Sequence, residues 1–232
     1  MMGHITLEFP DGVKKEFPKG TTAMEVVEKI GPRLAREALS AKIGEKIIEL
    51  SRPITESGKF KILTWEDPEG KKSLWHSSAH VLAEAVVSLF PDAKPTIGPA
   101  IEEGFYYDFF VEKPFTPEDF GKIEKKMIEI IKEKRKIERE ELEPKEALSK
   151  FSGNKFKQEM IREYAEEGKT ISVYTQGKFF DLCEGGHVPG TEKIGAIKLL
   201  KASAAYWRGD SERESLQRLY GIAFPKASML EE

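Results

Sequence analysis

One cysteine, Cys183, is the only thiol in this 232-residue chain. That excludes an internal disulfide framework and suits a reducing cytoplasm, where a lone thiol packs, ligates or reacts. No apolar run approaches the ~20 residues of a spanning helix, so no membrane partner is expected. The start, Met1-Met2-Gly3-His4, leads straight into strand-like alternation, which argues against a signal peptide. Thirty-seven basic against forty acidic residues leave a net charge of −3, so a globally basic nucleic-acid coat is excluded. Any RNA contact must use a local patch. There is no internal repeat and no low-complexity segment.

What is present, 39% hydrophobic and 33% charged residues, describes a soluble protein with room for two modest domains. Ile5 to Phe9 and Val13 to Phe17 alternate around Pro10-Asp11-Gly12, the pattern of a β-hairpin. Thr22 with Glu25 forms a capping box for a helix from Ala23 to Ile30, stopped by Gly31-Pro32. Short strands are expected at Ala41-Ile43, Lys46-Leu50 and Lys59-Trp65. This order is that of a ubiquitin-like β-grasp domain over residues 1–65, followed by a linker from Glu66 to Lys72.

From Ser73, a candidate cap, a helix should carry Trp75, His76, Ala79, His80, Ala83 and Val87 along one stripe and end at Pro91. Gly104 to Phe110 reads as an aromatic strand, on which Tyr106 and Tyr107 must face opposite ways. Thr116-Pro117 opens a long helix expected to reach Glu141, with Phe120, Ile123, Met127, Ile130 and Ile137 on one side. A second helix is expected at 155–167, then strands at 171–174, 178–182, 195–202 and 217–224. The region from 66 to 225 is therefore α+β, with helices over one face of an antiparallel sheet. Lys226 to Glu232 reads as the start of another helix, leading on toward further chain.

Chemistry concentrates in two spaced couples: His76 with His80, and Cys183 with His187. Four residues is about one helical turn, so both imidazoles of the first couple share a face and can meet the second couple on a loop. Two buried histidines on one turn could be hydrogen-bonded core residues, and a lone cysteine is most often a small hydrophobe. All four together point to one site, able to hold a tetrahedral metal or to manage protons and water around a carbonyl. Gly185 and Gly186 suit a sharp loop there. Lys155 and Lys157 read as surface lysines at a helix start. Asp181 shares a strand face with Cys183 and could orient a histidine, bind an amine or cap a turn. Lys71, Lys72, Lys193, Lys198, Lys201, Arg208, Arg213 and Arg218 would bind phosphates if gathered on one rim.

In sequence the chain resembles the amino-terminal part of bacterial-type threonyl-tRNA synthetases. The likeness rests on His76-Ser77-Ser78-Ala79-His80, Ile97-Gly98-Pro99 with Gly104 to Asp108, Asp181-Leu182-Cys183 with Gly185 and His187, and Ala205 to Asp210. It implies a TGS domain over 1–65, an editing domain shared with alanyl-tRNA synthetase over 66–225, and a connecting segment at 226–232. The implied reaction is hydrolysis of the ester on threonine tRNA wrongly charged with serine. A site shaped for threonine gains only about 1–3 kcal/mol from one methyl group, so a second sieve is needed.

The resemblance further implies His76 as base or water positioner, with His80 and His187 holding water and the ribose. It makes Lys157 the charge beside the oxyanion or leaving hydroxyl and Cys183 a positioner of water. Asp181 would bind the serine amine and Tyr107 would form the pocket wall. No cofactor is required for editing; zinc on His76, His80, Cys183 and His187 is the disfavoured option. Nothing here resembles the ATP-binding motifs of class II synthetases, so ATP binding is not expected. The expected partners are the aminoacylated 3′ end of threonine tRNA and the catalytic and anticodon-binding domains of a longer chain. The rivals are a zinc-holding, non-catalytic tRNA-binding module and a trans-editing hydrolase of the alanyl type. Two departures stand out: Glu184 and Gly186 replace the family's usual Arg and Pro, and Ala202-Ser203-Ala204 replaces Val-Ala-Gly.

Overall fold

The computed structural model describes residues 3–231. Met1 and Met2, which open the stretch argued not to be a signal peptide, and Glu232, in the expected terminal helix, lie outside the described residues. Two compact units are present: Met1–Leu74 with Gly185–Pro189, and Trp75–Glu184 with Gly190–Glu232.

In the first unit, β1 (His4–Glu8) and β2 (Lys14–Pro18) form the expected antiparallel hairpin. Its turn uses the left-handed φ of 83° at Gly12 and a bond from the Val13 N–H to the Asp11 carboxylate at 3.0 Å. Helix α1 (Ala23–Ile30) has the reciprocal cap: Glu25 N–H donates to the Thr22 hydroxyl at 3.2 Å, and Thr22 N–H donates to the Glu25 carboxylate at 2.7 Å. Gly31-Pro32 does stop α1, but proline at a first helical position also opens a helix the sequence reading lacked, α2 (Pro32–Glu37). With β3 (Ser40–Ile43), β4 (Lys46–Ile48) and β5 (Gly58–Leu63) the strand order is β2-β1-β5-β3-β4. The parallel β1–β5 pair at its centre is that of a β-grasp. Ile5, Leu7, Val26, Val27, Leu50 and Phe60 fill its core.

The expected linker is helix instead. Helix α3 runs from Pro68 to Leu89. The Asp67 carboxylate accepts from Thr64 N–H at 2.9 Å, and Lys71 N–H bonds to the Asp67 carbonyl at 3.0 Å. Acidic residues and proline in a first turn match the positive end of the helix, so charge composition was a poor sign of a linker here. Ser73, expected to cap, lies inside α3 and donates to the Glu69 carbonyl at 3.1 Å. Nor is α3 amphipathic with one buried stripe: from Ser73 to Val86 every residue but His76 is buried. Ser77, Ser78, Ala79, Ala83 and Ala85 are small enough for neighbours to close in from all sides.

The second unit is α+β, helices packed on two antiparallel sheets rather than the single sheet expected. One is ordered β10-β9-β8 and the other β11-β12-β7-β6. Their strands are β6 (Lys94–Pro95), β7 (Phe105–Phe110), β8 (Ile137–Glu141), β9 (Ser172–Gln176), β10 (Phe179–Leu182), β11 (Ala196–Tyr206) and β12 (Ser215–Phe224). Helix α4 (Pro117–Lys132) buries Ile123, Met127 and Ile130 as expected but ends nine residues early, from Glu141 to Lys132. Lys134 takes a left-handed φ of 50°, and residues 137–141 pair with β9 instead, placing Ile137 opposite Gln176. Sheet pairing there outweighs helical propensity. Helix α5 (Pro144–Lys150) was not expected; α6 (Lys155–Glu166) was. At the end of the chain, Ala227–Leu230 is a short 3-10 turn.

Candidate functional site

α3 carries His76 and His80 one turn apart, with ring centroids 5.1 Å apart and planes at 88°. His80 is buried and His76 half-buried. Cys183 follows β10, its N–H donating to the Ser172 carbonyl at 3.2 Å while the Ser172 hydroxyl donates to the Cys183 carbonyl. Beyond it Gly185 and Gly186 sit at φ 114° and 84°. Proline is locked near −65°, so the family's usual proline could not adopt this backbone at 186.

The donor atoms of His76, His80 and Cys183 lie within 4.8 Å of one another, while His187, buried, lies in the Gly185–Pro189 segment of the first unit. Two imidazoles and a thiol are donors of the type zinc takes. A tetrahedral ion with bonds of about 2.0–2.3 Å has ligand–ligand edges of roughly 3.3–3.8 Å, so these three donors fit it after closing by ~1 Å.

Asp181, 2% exposed, anchors the centre of this unit's polar network. Its Oδ1 accepts from Lys157 Nζ at 2.7 Å and from Leu182 N–H at 2.8 Å. Its Oδ2 accepts from the Tyr107 hydroxyl at 2.6 Å and lies 3.6 Å from His80 Nε2. Lys157 Nζ also donates to the Tyr107 oxygen at 3.2 Å. Burial alone would raise the Asp181 pKa, but the Lys157 charge, His80 and the donated bonds outweigh it and hold the carboxyl below its usual range. Burial lowers His80 to about 3, helped by His76 and Lys157 against the pull of Asp181. His80 is therefore a neutral imidazole at working pH, able to donate at one nitrogen and accept at the other. Burial, with Asp181 beside it, raises Tyr107 well above the usual range and keeps its proton on as a donor.

The surface expectation holds for Lys155, which pairs with Glu214 at 3.2 Å, and fails for Lys157, which is 2% exposed. The cause lies just before it in the chain: the Asn154 side chain caps α6, accepting from Phe156 N–H at 3.1 Å and Lys157 N–H at 3.2 Å, while its amide donates to the Pro95 carbonyl at 2.7 Å. This turns Lys157 inward. Sequence reasoning gave Asn154 no role, although an Asn before a helix is a capping signal.

Two more residues lend support: Glu84, which sequence reasoning missed, and Gly98, quoted there only for the likeness of Ile97-Gly98-Pro99. Gly98 lies against the Tyr107 ring, where an added Cβ would sit 2.1 Å from Cδ2. Glu84, one turn beyond His80, accepts from Gln176 at 2.7 Å and pairs with Arg135, tying α3 to β9. Tyr106 faces away from Tyr107, with the Arg218 guanidinium 3.8 Å from its ring centre. Of the basic residues proposed as a rim, Lys198, Arg208, Arg213 and Arg218 are paired with Glu124, Glu163, Glu159 and Asp108.

Comparison with known proteins agrees with both units. Residues 4–64 match the TGS domain, and residues 171–220 match the threonyl and alanyl tRNA synthetase second additional domain. The threonine–tRNA ligase of Caldanaerobacter subterraneus subsp. tengcongensis is 53% identical over 231 residues, 98% of this chain and 35% of that protein. That of Carboxydothermus hydrogenoformans is 51% identical over 228 residues, 97% and 36% respectively. That of Parabacteroides distasonis is 48% identical over 98% of the chain. The chain thus spans about a third of the length of these curated relatives and, over nearly all of itself, matches the amino-terminal part of bacterial threonyl-tRNA synthetases.

Proposed function

We propose that this chain hydrolyses the ester of serine wrongly attached to threonine tRNA, as the editing part of a cytoplasmic threonine–tRNA ligase. The observation that carries the reading is the buried Lys157–Asp181–Tyr107 network beside His80 on the histidine-bearing helix. Such a network has a fixed charge pattern beside a neutral His80, which suits attack of water on an activated ester.

In this reading His76, half-open to solvent, takes a proton from water as its oxygen attacks the ester carbonyl carbon. The carbonyl–ribose oxygen bond then breaks, the proton passes to the leaving ribose hydroxyl, and serine and tRNA are released. Lys157 supplies positive charge beside the developing oxyanion or the leaving oxygen. Neutral His80, with His187, holds the water and the ribose without adding a competing charge. Asp181 has three of its about four acceptor positions occupied. Oδ2 would take the serine amine, and the bonds from Lys157 on Oδ1 and from Tyr107 on Oδ2 keep the carboxylate still. Tyr107 walls the pocket, and Cys183 holds water or narrows the sieve against the methyl of threonine. If zinc is bound by His76, His80 and Cys183, three protein ligands would leave it a position at which to supply a Lewis acid.

The test is hydrolysis of seryl and threonyl esters on threonine tRNA by the purified chain. Preferential seryl hydrolysis, lost in His76→Ala and Lys157→Ala with the circular dichroism unchanged, is expected. A folded protein that leaves both esters intact refutes the reading. The zinc-type donors His76, His80 and Cys183 favour one rival, a zinc-holding tRNA-binding module, and stoichiometric zinc without turnover would select it.

A further inference from the structure

A cavity of about 260 Å³ lies in the second unit, with the buried Lys157 and Asp181 among its lining residues. Three further lysines line it from three separate elements: Lys94 on β6, Lys150 at the end of α5, and Lys178 in the turn between β9 and β10. That makes four lysines against one carboxylate, in a chain whose net charge is −3. Lys178 is placed by the two-residue turn after Gln176, where Gly177 has a left-handed φ of 59°. Lys150 lies 4.6 Å over the Phe180 ring and 3.1 Å from Glu140, while Lys94 and Lys178 have no ion pair among the described residues. Phe179 and Phe180 line the same cavity and remain half-exposed.

Lys94 and Lys178, without ion pairs among the described residues, stand beside the half-exposed Phe179 and Phe180. Positive charge with interleaved aromatic faces is the chemistry that takes single-stranded nucleic acid, phosphates on the lysines and bases on the rings. The volume is near the lower end of small-ligand pockets, ~300 Å³, so it admits about one nucleotide and no duplex.

We propose that Lys94, Lys178 and Lys150 hold the phosphodiester backbone of the single-stranded RNA 3′ end that carries the ester to Lys157 and Asp181. This deepens the editing reading and rests on it for the identity of the RNA. Lysine contacts of this kind position the strand without reading its bases.

Two measurements separate this proposal from the editing reading. The first is fluorescence anisotropy of a labelled RNA hexamer ending in cytidine-cytidine-adenosine, titrated with the full chain at several salt concentrations. Lys94→Ala/Lys178→Ala is expected to weaken binding about tenfold and to flatten the slope of log K against log salt by ~1.4, which is ~0.7 for each single-strand phosphate no longer neutralised. Neither lysine is ion-paired among the described residues, so an unchanged melting temperature is the control. Wild-type binding with an unaltered slope in the variant, or no binding at all, overturns the proposal. The second is turnover of seryl-tRNA against seryl-adenosine, which lacks phosphates. A rise in KM for the tRNA alone supports the phosphate role, and an equal rise for both substrates refutes it. Wild-type protein that binds the hexamer but hydrolyses neither ester refutes the editing reading and leaves the phosphate site standing.

Discussion

Replacing Lys157 by methionine tests the central network most directly. Lys157 and Asp181 are each 2% exposed, and Lys157 is the one cation hydrogen-bonded to Asp181 among the described residues. Methionine keeps most of the volume, so the main loss is the charge. Asp181 would then be a buried carboxylate left with the bonds from Tyr107 and the Leu182 N–H and with His80 3.6 Å away. Breaking a buried pair by removing one partner costs about 3–5 kcal/mol. Tyr107→Phe removes one bond to a charged group, about 1.5–3 kcal/mol, and should cost less. The double variant Lys157→Met/Asp181→Asn leaves no unpaired charge and should recover roughly 1–3 kcal/mol relative to the single, a coupling a double-mutant cycle reads. Urea unfolding followed through Trp75 and Trp207, in a Trp65→Phe background, reports on the unit that holds the network. A Lys157→Met loss below about 1 kcal/mol, or strict additivity in the double variant, would mean that the pair is not the electrostatic centre described here.

Gly98→Ala should drive a methyl group into the Tyr107 ring, costing about 1–3 kcal/mol by overpacking and lowering ester hydrolysis with it. An unchanged thermal midpoint would show that the ring moves aside freely. At Asp67, burial opposes ionisation, but the bonds from Lys61 and Thr64 prevail and hold the carboxyl below its ordinary value of 3.8. A depressed carboxylate stabilises above the unfolded pKa, so this contribution is present above pH 3.8 and is lost as pH falls through the lower folded value. The difference in thermal midpoint between wild type and Asp67→Asn should therefore shrink on acidification through that window. A difference that stays constant down to about pH 2 would exclude the linkage.

Much of the fold was legible because local signals were strong and agreed. The hairpin around Pro10-Asp11-Gly12, the Thr22/Glu25 box and the Thr116-Pro117 start each depend on neighbouring residues alone, and each is found in place. The misreadings occur where distant residues intervene. Residues 137–141 are charged enough for a helix, yet β9 offers them a pairing partner. Ser73 resembles a cap, but the turn before it was already helical from Pro68. The network shows the same division: Asp181, Tyr107 and His80 were singled out by residue type, whereas Glu84, which acts through Arg135 and Gln176 far away in sequence, was not.

From the chain alone came the residue types that can do chemistry, their spacing by one helical turn, and the two-part organisation that short-range patterns encode. Tertiary structure alone decided that Lys157 is buried rather than solvated, that Asp181 holds it, and that Lys94, Lys150 and Lys178 share one cavity. The reason is physical. Spacing acts through bonds and nearby hydrogen bonds, whereas burial and charge compensation depend on what the rest of the fold brings alongside.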